Sequence, residues 1–115
     1  MKVSELQGAQ LDYWVGRAAG WHPTILGGRC MQGRETSHEW IEYEPWSPST
    51  DWAIGGRVIE RERISINLYG YGREWGAWTT GSCYETDAPD GTGATPLIAA
   101  MRAYVASKFG WKVES

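Results

Sequence analysis

Ser47, Ser49, Thr50 and Asp51 place three hydroxyls and one carboxylate within five positions, with Trp46 and Trp52 on either side. Arg57, Arg61 and Arg63 follow closely. Together these groups suit a nucleotide. Indole faces stack on a base. Guanidiniums and the free N–H groups of a helix start hold phosphate. Hydroxyls or Asp51 reach a ribose. A purely structural role is also open. Ser49 or Thr50 then caps a helix, Asp51 complements its dipole and Trp52 fills a core. Trp46 sits between Pro45 and a Ser-Pro turn, which fits a core less comfortably.

Tyr13 and Arg17 lie four residues apart on a predicted helix, off its apolar stripe, and can stack at a site mouth. Arg73, Trp75 and Trp78 fall on a predicted hairpin. An aromatic ring on an open sheet face serves as a base platform or packs across strands. Trp78 joins the candidate ligand-binding set with Tyr13, Arg17 and the central cluster. Catalytic sets are weak. His22 and His38 are the only histidines, and the chain has no HExxH, no CxxC and no glycine-rich phosphate loop with its lysine. Cys30 and Cys83 stand 53 positions apart, so they read as reduced thiols. Glu and Arg alternate over 57–63 as in a salt-bridged surface. The expectation is binding without catalysis, metal or cofactor.

Certain elements must position these residues. Leu11, Trp14, Val15 and Ala18 form one apolar stripe, so Ser4 to Gly20 reads as a first helix with its lead-in, stopped by Gly20. Residues 22–36 read as loop, and Glu39 to Tyr43 as a strand. A short helical turn starts near Asp51 and ends at Gly55-Gly56. Ile64, Ile66 and Leu68 alternate as in a half-buried strand. Tyr69 to Gly72 turns, and Glu74 to Thr80 returns. Ala88 to Ala94 reads as loop. Thr95 caps the last helix with Pro96 in its first turn; Leu97, Met101, Tyr104, Val105 and Lys108 share a face, and Gly110 closes it. The class is α+β: one small domain over 1–115, with a largely antiparallel sheet and an N-terminal and a C-terminal helix packed on it.

Composition agrees. The chain has 115 residues, a length for one domain. Leu, Ile, Val and Phe number only 18, but eight Trp and six Tyr supply the missing apolar area. No apolar run is long enough to span a membrane. The segment after Met1-Lys2-Val3-Ser4-Glu5 lacks the apolar stretch of a signal peptide. A pI near 5.3 argues against a general nucleic-acid binder. Residues 57–75 carry four Arg against three Glu in an otherwise acidic chain, which suits a pocket for a small anion better than a polymer track.

Three blocks resemble the NinX-like family of phage proteins. They are Met1-Lys2-Val3-Ser4-Glu5-Leu6 through Leu11-Asp12-Tyr13-Trp14-Val15; Ser47-Pro48-Ser49-Thr50-Asp51-Trp52-Ala53 with Gly55-Gly56 and Ile59-Glu60-Arg61-Glu62; and Thr95-Pro96-Leu97 with Ala99-Ala100-Met101-Arg102-Ala103 and Val105-Ala106-Ser107-Lys108-Phe109-Gly110. His22 to Glu39 lies outside the resemblance. The family is encoded by tailed phages, often among accessory genes of the lambdoid nin region. The resemblance implies a small α+β sandwich domain acting in the cytoplasm of an infected bacterium. It implies no particular reaction.

Two functions are therefore expected. In the first, a phage accessory protein sequesters a nucleotide-derived immune signal, such as a cyclic oligonucleotide or an ADP-ribose derivative, as a counter-defence. A homo-oligomer is expected, because so small a chain needs a subunit interface to enclose its ligand. In the second, Trp and Tyr anchor a protein interface that inhibits a host protein or assists phage recombination or replication.

Overall fold

The computed structural model describes residues 1–35, 40–79 and 88–114. A 3-10 turn at Val3–Glu5 leads into α1 (Gly8–Ala18). Strands β1 (Thr24–Leu26), β2 (Arg29–Glu35) and β3 (Ile41–Pro45) follow, then α2 (Trp52–Glu62). Strands β4 (Ser65–Tyr69), β5 (Glu74–Trp78) and β6 (Gly91–Gly93) precede α3 (Pro96–Phe109). The α+β class with antiparallel pairing is as read from the sequence. The strands divide into two three-stranded sheets, ordered β1-β2-β3 and β4-β5-β6.

α3 is the centre of the molecule. Thr95 Oγ1 accepts the Ile98 N–H at 3.2 Å, Pro96 occupies the first turn, and Gly110 follows with φ +81°. Leu97, Ala99, Ala100, Met101, Ala103, Tyr104 and Val105 are buried, so apolar residues surround the helix instead of striping it. The β4-β5-β6 sheet, α1 and α2 all pack against it. β6 rests on α3 almost backbone to backbone. A Cβ on Gly91 would stand 2.4 Å from Ala103 N and 2.6 Å from Ala99 O. The buried Ala99 and Ala103 complete this close approach. Arg102 clasps the layers from the side, donating to Leu6 O at 2.9 Å and Thr92 O at 2.8 Å.

Three sequence expectations need correction. Residues 22–36 are mostly not loop. Leu26 pairs with Arg29 across Gly27 and Gly28, whose φ values of +60° and +79° form the two-residue turn of a hairpin. This hairpin lacks a clean apolar alternation because most of its side chains are exposed. α2 does not stop at Gly55-Gly56. Gly55 lies 2.2 Å, measured from where its Cβ would stand, from the Pro48 carbonyl oxygen, so its bare backbone is a packing requirement within the helix. The helix ends instead at Arg63, a non-glycine residue at φ +54°. Third, the stretch Ala88 to Ala94 is not all loop: Gly91–Gly93 form β6, paired antiparallel with β5. The lead-in of the first helix is the separate 3-10 turn, and the helix itself starts at Gly8. The far end of the return strand, at Thr80, lies outside the described residues, as do Cys83 and His38.

α1 joins the two halves, with α3 on one side and β1–β2 on the other. The β1-β2-β3 sheet extends as an arm, and the chain measures 52 × 26 × 21 Å. Its Cα radius of gyration, 14.5 Å, exceeds the roughly 13 Å of a sphere-like chain this long.

Candidate functional site

Gly20 starts the site. With φ +88° it ends α1 in a Schellman turn, its N–H donating to Arg17 O at 3.0 Å and that of Trp21 to Gly16 O at 2.9 Å. The turn delivers Trp21 onto Trp46, with ring centroids 5.4 Å apart and planes 21° from parallel. Trp46 Nε1 donates to Asp12 O at 3.0 Å, which fixes the inner indole, while Trp21 stays 44% exposed. One cleft of about 370 Å³ brings these rings together with Gln32, Glu44, Arg57 and Arg61.

The two arginines come from successive turns of α2 and differ in their engagement. Arg61 Nε binds Glu62 Oε2 at 3.0 Å, and Nη2 reaches the Tyr104 hydroxyl at 3.4 Å. Arg57 has no acidic partner among the described residues. Burial raises the Tyr104 phenol above its ordinary range, and Arg61 acts in the opposite direction.

The hydroxyl cluster does not line this cleft. Ser47 and Thr50 border a separate depression beside Asp12 and Cys30. Ser47 O accepts the Thr50 and Asp51 N–H groups at 3.2 and 2.9 Å, which makes the segment a turn. Ser49 is 2% exposed, and its backbone N–H donates to Asp12 Oδ1 at 2.8 Å. Asp51 Oδ1 accepts the Ala53 N–H at 2.9 Å and caps α2. These are structural duties, and a capping carboxylate is poorly free for a ribose. Trp52 is 56% exposed and lies beside Gly56, not in the cleft.

The remaining candidates lie elsewhere. Tyr13 and Arg17 line a second cleft, of about 350 Å³, with Met1, Leu6, Trp14 and Ile25. Arg17 Nη1 donates to the Tyr13 hydroxyl at 2.9 Å, and its guanidinium lies 5.8 Å from the centroids of both the Tyr13 and Trp14 rings. Trp78 is 3% exposed, edge-on to Tyr69, and therefore belongs to the core and offers no platform.

Sequence reasoning missed Trp21. The signal was a helix-stop glycine followed at once by an aromatic residue. Burial also governs two groups behind the cleft. It pushes the Asp12 carboxyl above the usual carboxylate range, and it raises the Cys30 thiol, with help from the Asp12 charge, to about 12. Among the described residues no group of three or more His, Cys, Asp or Glu is arranged to hold a metal ion. Among the described residues no helix is long and apolar enough to cross a membrane.

No curated protein matches the chain in sequence. The family model for NinX of bacteriophage P22 covers residues 2–108, including the His22–Glu39 stretch outside the three resembling blocks, and the chain belongs to this phage family.

Proposed function

We propose that this phage protein captures a small phosphorylated molecule with an aromatic base in the Trp21–Trp46–Arg57–Arg61 cleft, and holds it without turnover. One observation carries the reading: a stacked indole pair and two guanidiniums border the same cleft of about 370 Å³. That volume is at the small end of the roughly 300–1,000 Å³ typical of ligand sites. It suits one nucleoside with its phosphate. Glu44 repels an anion, so phosphate belongs on the Arg57–Arg61 side and the base on the exposed Trp21 face.

In its sharper form the ligand is a nucleotide-derived immune signal in the host cytoplasm, and its removal keeps host defence silent. A competitive sponge needs nanomolar affinity, about −12 kcal/mol. Stacking supplies about 1–3 kcal/mol per base, and each charge-assisted hydrogen bond about 1.5–3 kcal/mol. One stacked base and several such contacts are therefore required, against the cost of association.

Calorimetry with cyclic dinucleotides, cyclic trinucleotides and cyclic ADP-ribose tests the proposal, alongside mass spectrometry of the supernatant from heated protein. Heat with at least one of them, abolished in R57A/R61A, is expected. No heat with any of them at micromolar protein, and no nucleotide released, overturns it. A stoichiometric host protein pulled down from infected cells, without nucleotide, would favour the interaction-module reading. The exposed Leu26, Ile41 and Tyr43 give that reading its support.

A further inference from the structure

Among the described residues β3 is an outer strand of its sheet, and the register shows which of its residues bond to β2. Trp46 N–H donates to Cys30 O at 3.0 Å, directly beyond the register pair Met31–Pro45. In an antiparallel ladder bonded pairs alternate with unbonded ones. The residues of β3 bonded to β2 are therefore Glu42 and Glu44, opposite Arg34 and Gln32. The N–H and C=O groups of Ile41 and Tyr43, and the carbonyl of Pro45, consequently point to the open edge. The Ile41 and Tyr43 side chains share the face turned away from α1. They lie across Gly33, and are 54% and 49% exposed. An outer strand with open main-chain groups and exposed apolar side chains is a template for another strand.

We propose that β3 pairs antiparallel with β3 of a second copy, about a two-fold axis at Glu42, joining the two arms into one six-stranded sheet. Bonds form only where outward-pointing residues face each other. With the axis at Glu42, Ile41 of each copy faces Tyr43 of the other, giving two bonded pairs that are both β-branched against aromatic. An axis at Tyr43 is worse, because it sets Ile41 against Pro45, which has no N–H, and Glu42 against Glu44 twice. At the chosen axis like charges meet once. Each Glu42 holds its own Arg34 at 3.2 Å, so two carboxylates and two guanidiniums gather there and balance. The same register sets Trp40 of each copy opposite Glu44 of the other, and Glu44 borders the indole cleft. Pro45 ends the pairing early, so the association is weak and reversible.

Engineered cysteines read the register directly. In a Cys83→Ser background, residue 42 meets its own symmetry mate as an unbonded pair with Cα atoms about 4.5 Å apart, within disulfide reach. Residues 44 of the two copies lie about 13 Å apart along the strands. Under mild oxidation Glu42→Cys should become a covalent dimer at least roughly tenfold faster than Glu44→Cys. Sedimentation equilibrium should show the native chain dimerising at hundreds of micromolar, and the double variant Ile41→Lys/Tyr43→Lys remaining monomeric with an unchanged circular dichroism spectrum. Both replaced side chains are exposed, so the fold should persist. A native chain that stays monomeric, equal rates for the two cysteine variants, or a dimer that survives the double lysine substitution overturns the proposal.

Discussion

The backbone N–H of Ser49 donates to the Asp12 carboxylate at 2.8 Å, linking α1 to the turn before α2 across 37 residues of chain. The Asp12 main-chain carbonyl meanwhile accepts the Trp46 indole N–H. One residue of α1 therefore holds both the inner wall of the cleft and the turn that launches its arginines.

Replacing that carboxylate should separate hydrogen bonding from charge. D12A leaves the buried Ser49 N–H without its acceptor, and should lower stability by about 1–3 kcal/mol. D12N retains an acceptor and removes a buried charge, so its loss should be clearly smaller. The pH dependence has a definite sign. Burial raises the folded-state Asp12 pKa above its unfolded value, so the folded protein holds this proton more tightly. The contribution is fully present below the unfolded pKa and is lost as pH rises through the folded one. Urea midpoints between pH 7 and pH 4 should therefore show the native chain gaining on D12N as pH falls.

Gly55 and Gly56 are neighbours that should respond with opposite signs. A Cβ on Gly55 meets Pro48 O at 2.2 Å and Leu97 Cδ2 at 2.7 Å. G55A should lose about 1–3 kcal/mol through overpacking, although alanine is the better helix former. A Cβ on Gly56 meets nothing nearer than Trp52 Cε3 at 3.8 Å. G56A should gain about 0.5–1 kcal/mol by restricting the unfolded chain. Chemical denaturation of the two variants checks both.

Cys30 should be an inert thiol. With its pKa pushed up to about 12, its thiolate is scarce at pH 8, whereas a free cysteine titrates near pH 8.5. In the Cys83→Ser background, modification by a disulfide reagent should run at least about 100-fold slower than for a free thiol, and should match the opening rate of the fold. Rapid modification of the folded chain would contradict the burial.

Arg57 and Arg61 should divide in their effects. Arg57 has no acidic partner among the described residues, so R57A should leave the melting temperature unchanged and weaken any bound nucleotide about 10–100-fold, one charge-assisted contact of about 1.5–3 kcal/mol. Arg61 also touches Glu62 and Tyr104, so R61A should lower both affinity and stability. Calorimetry and thermal melts on the same samples measure the two effects.

The sequence was most legible where local chemistry and packing agreed. Thr95, Pro96 and Gly110 bracket α3 as their types demand, and the β4–β5 hairpin turns at Gly70–Gly72, all at positive φ. It was least legible where tertiary contact overrides a local rule. Gly55 looks like a stop but is a close approach, and Arg63 accepts the left-handed position that usually selects glycine. The β1–β2 hairpin had a turn signal in Gly27-Gly28 and no apolar rhythm, since exposed strands need none. In the site, Trp46, Arg57 and Arg61 are near enough in sequence to be grouped by eye. Trp21 is 25 positions from its stacking partner, and Ser49 and Asp51 are claimed by folding duties that only geometry reveals.

Where Gly91 of β6 lies on α3, the strand meets the main chain of Ala99 and Ala103, whereas Gly93, two residues on, also meets the Ile98 side chain. At Gly91 the contact is made of main-chain atoms, which have no rotamers to switch and no methylenes to compress. A displacement of the strand at this point has no side chain to absorb it, so Gly91 and the helix turn at 99–103 should shift together or separate together.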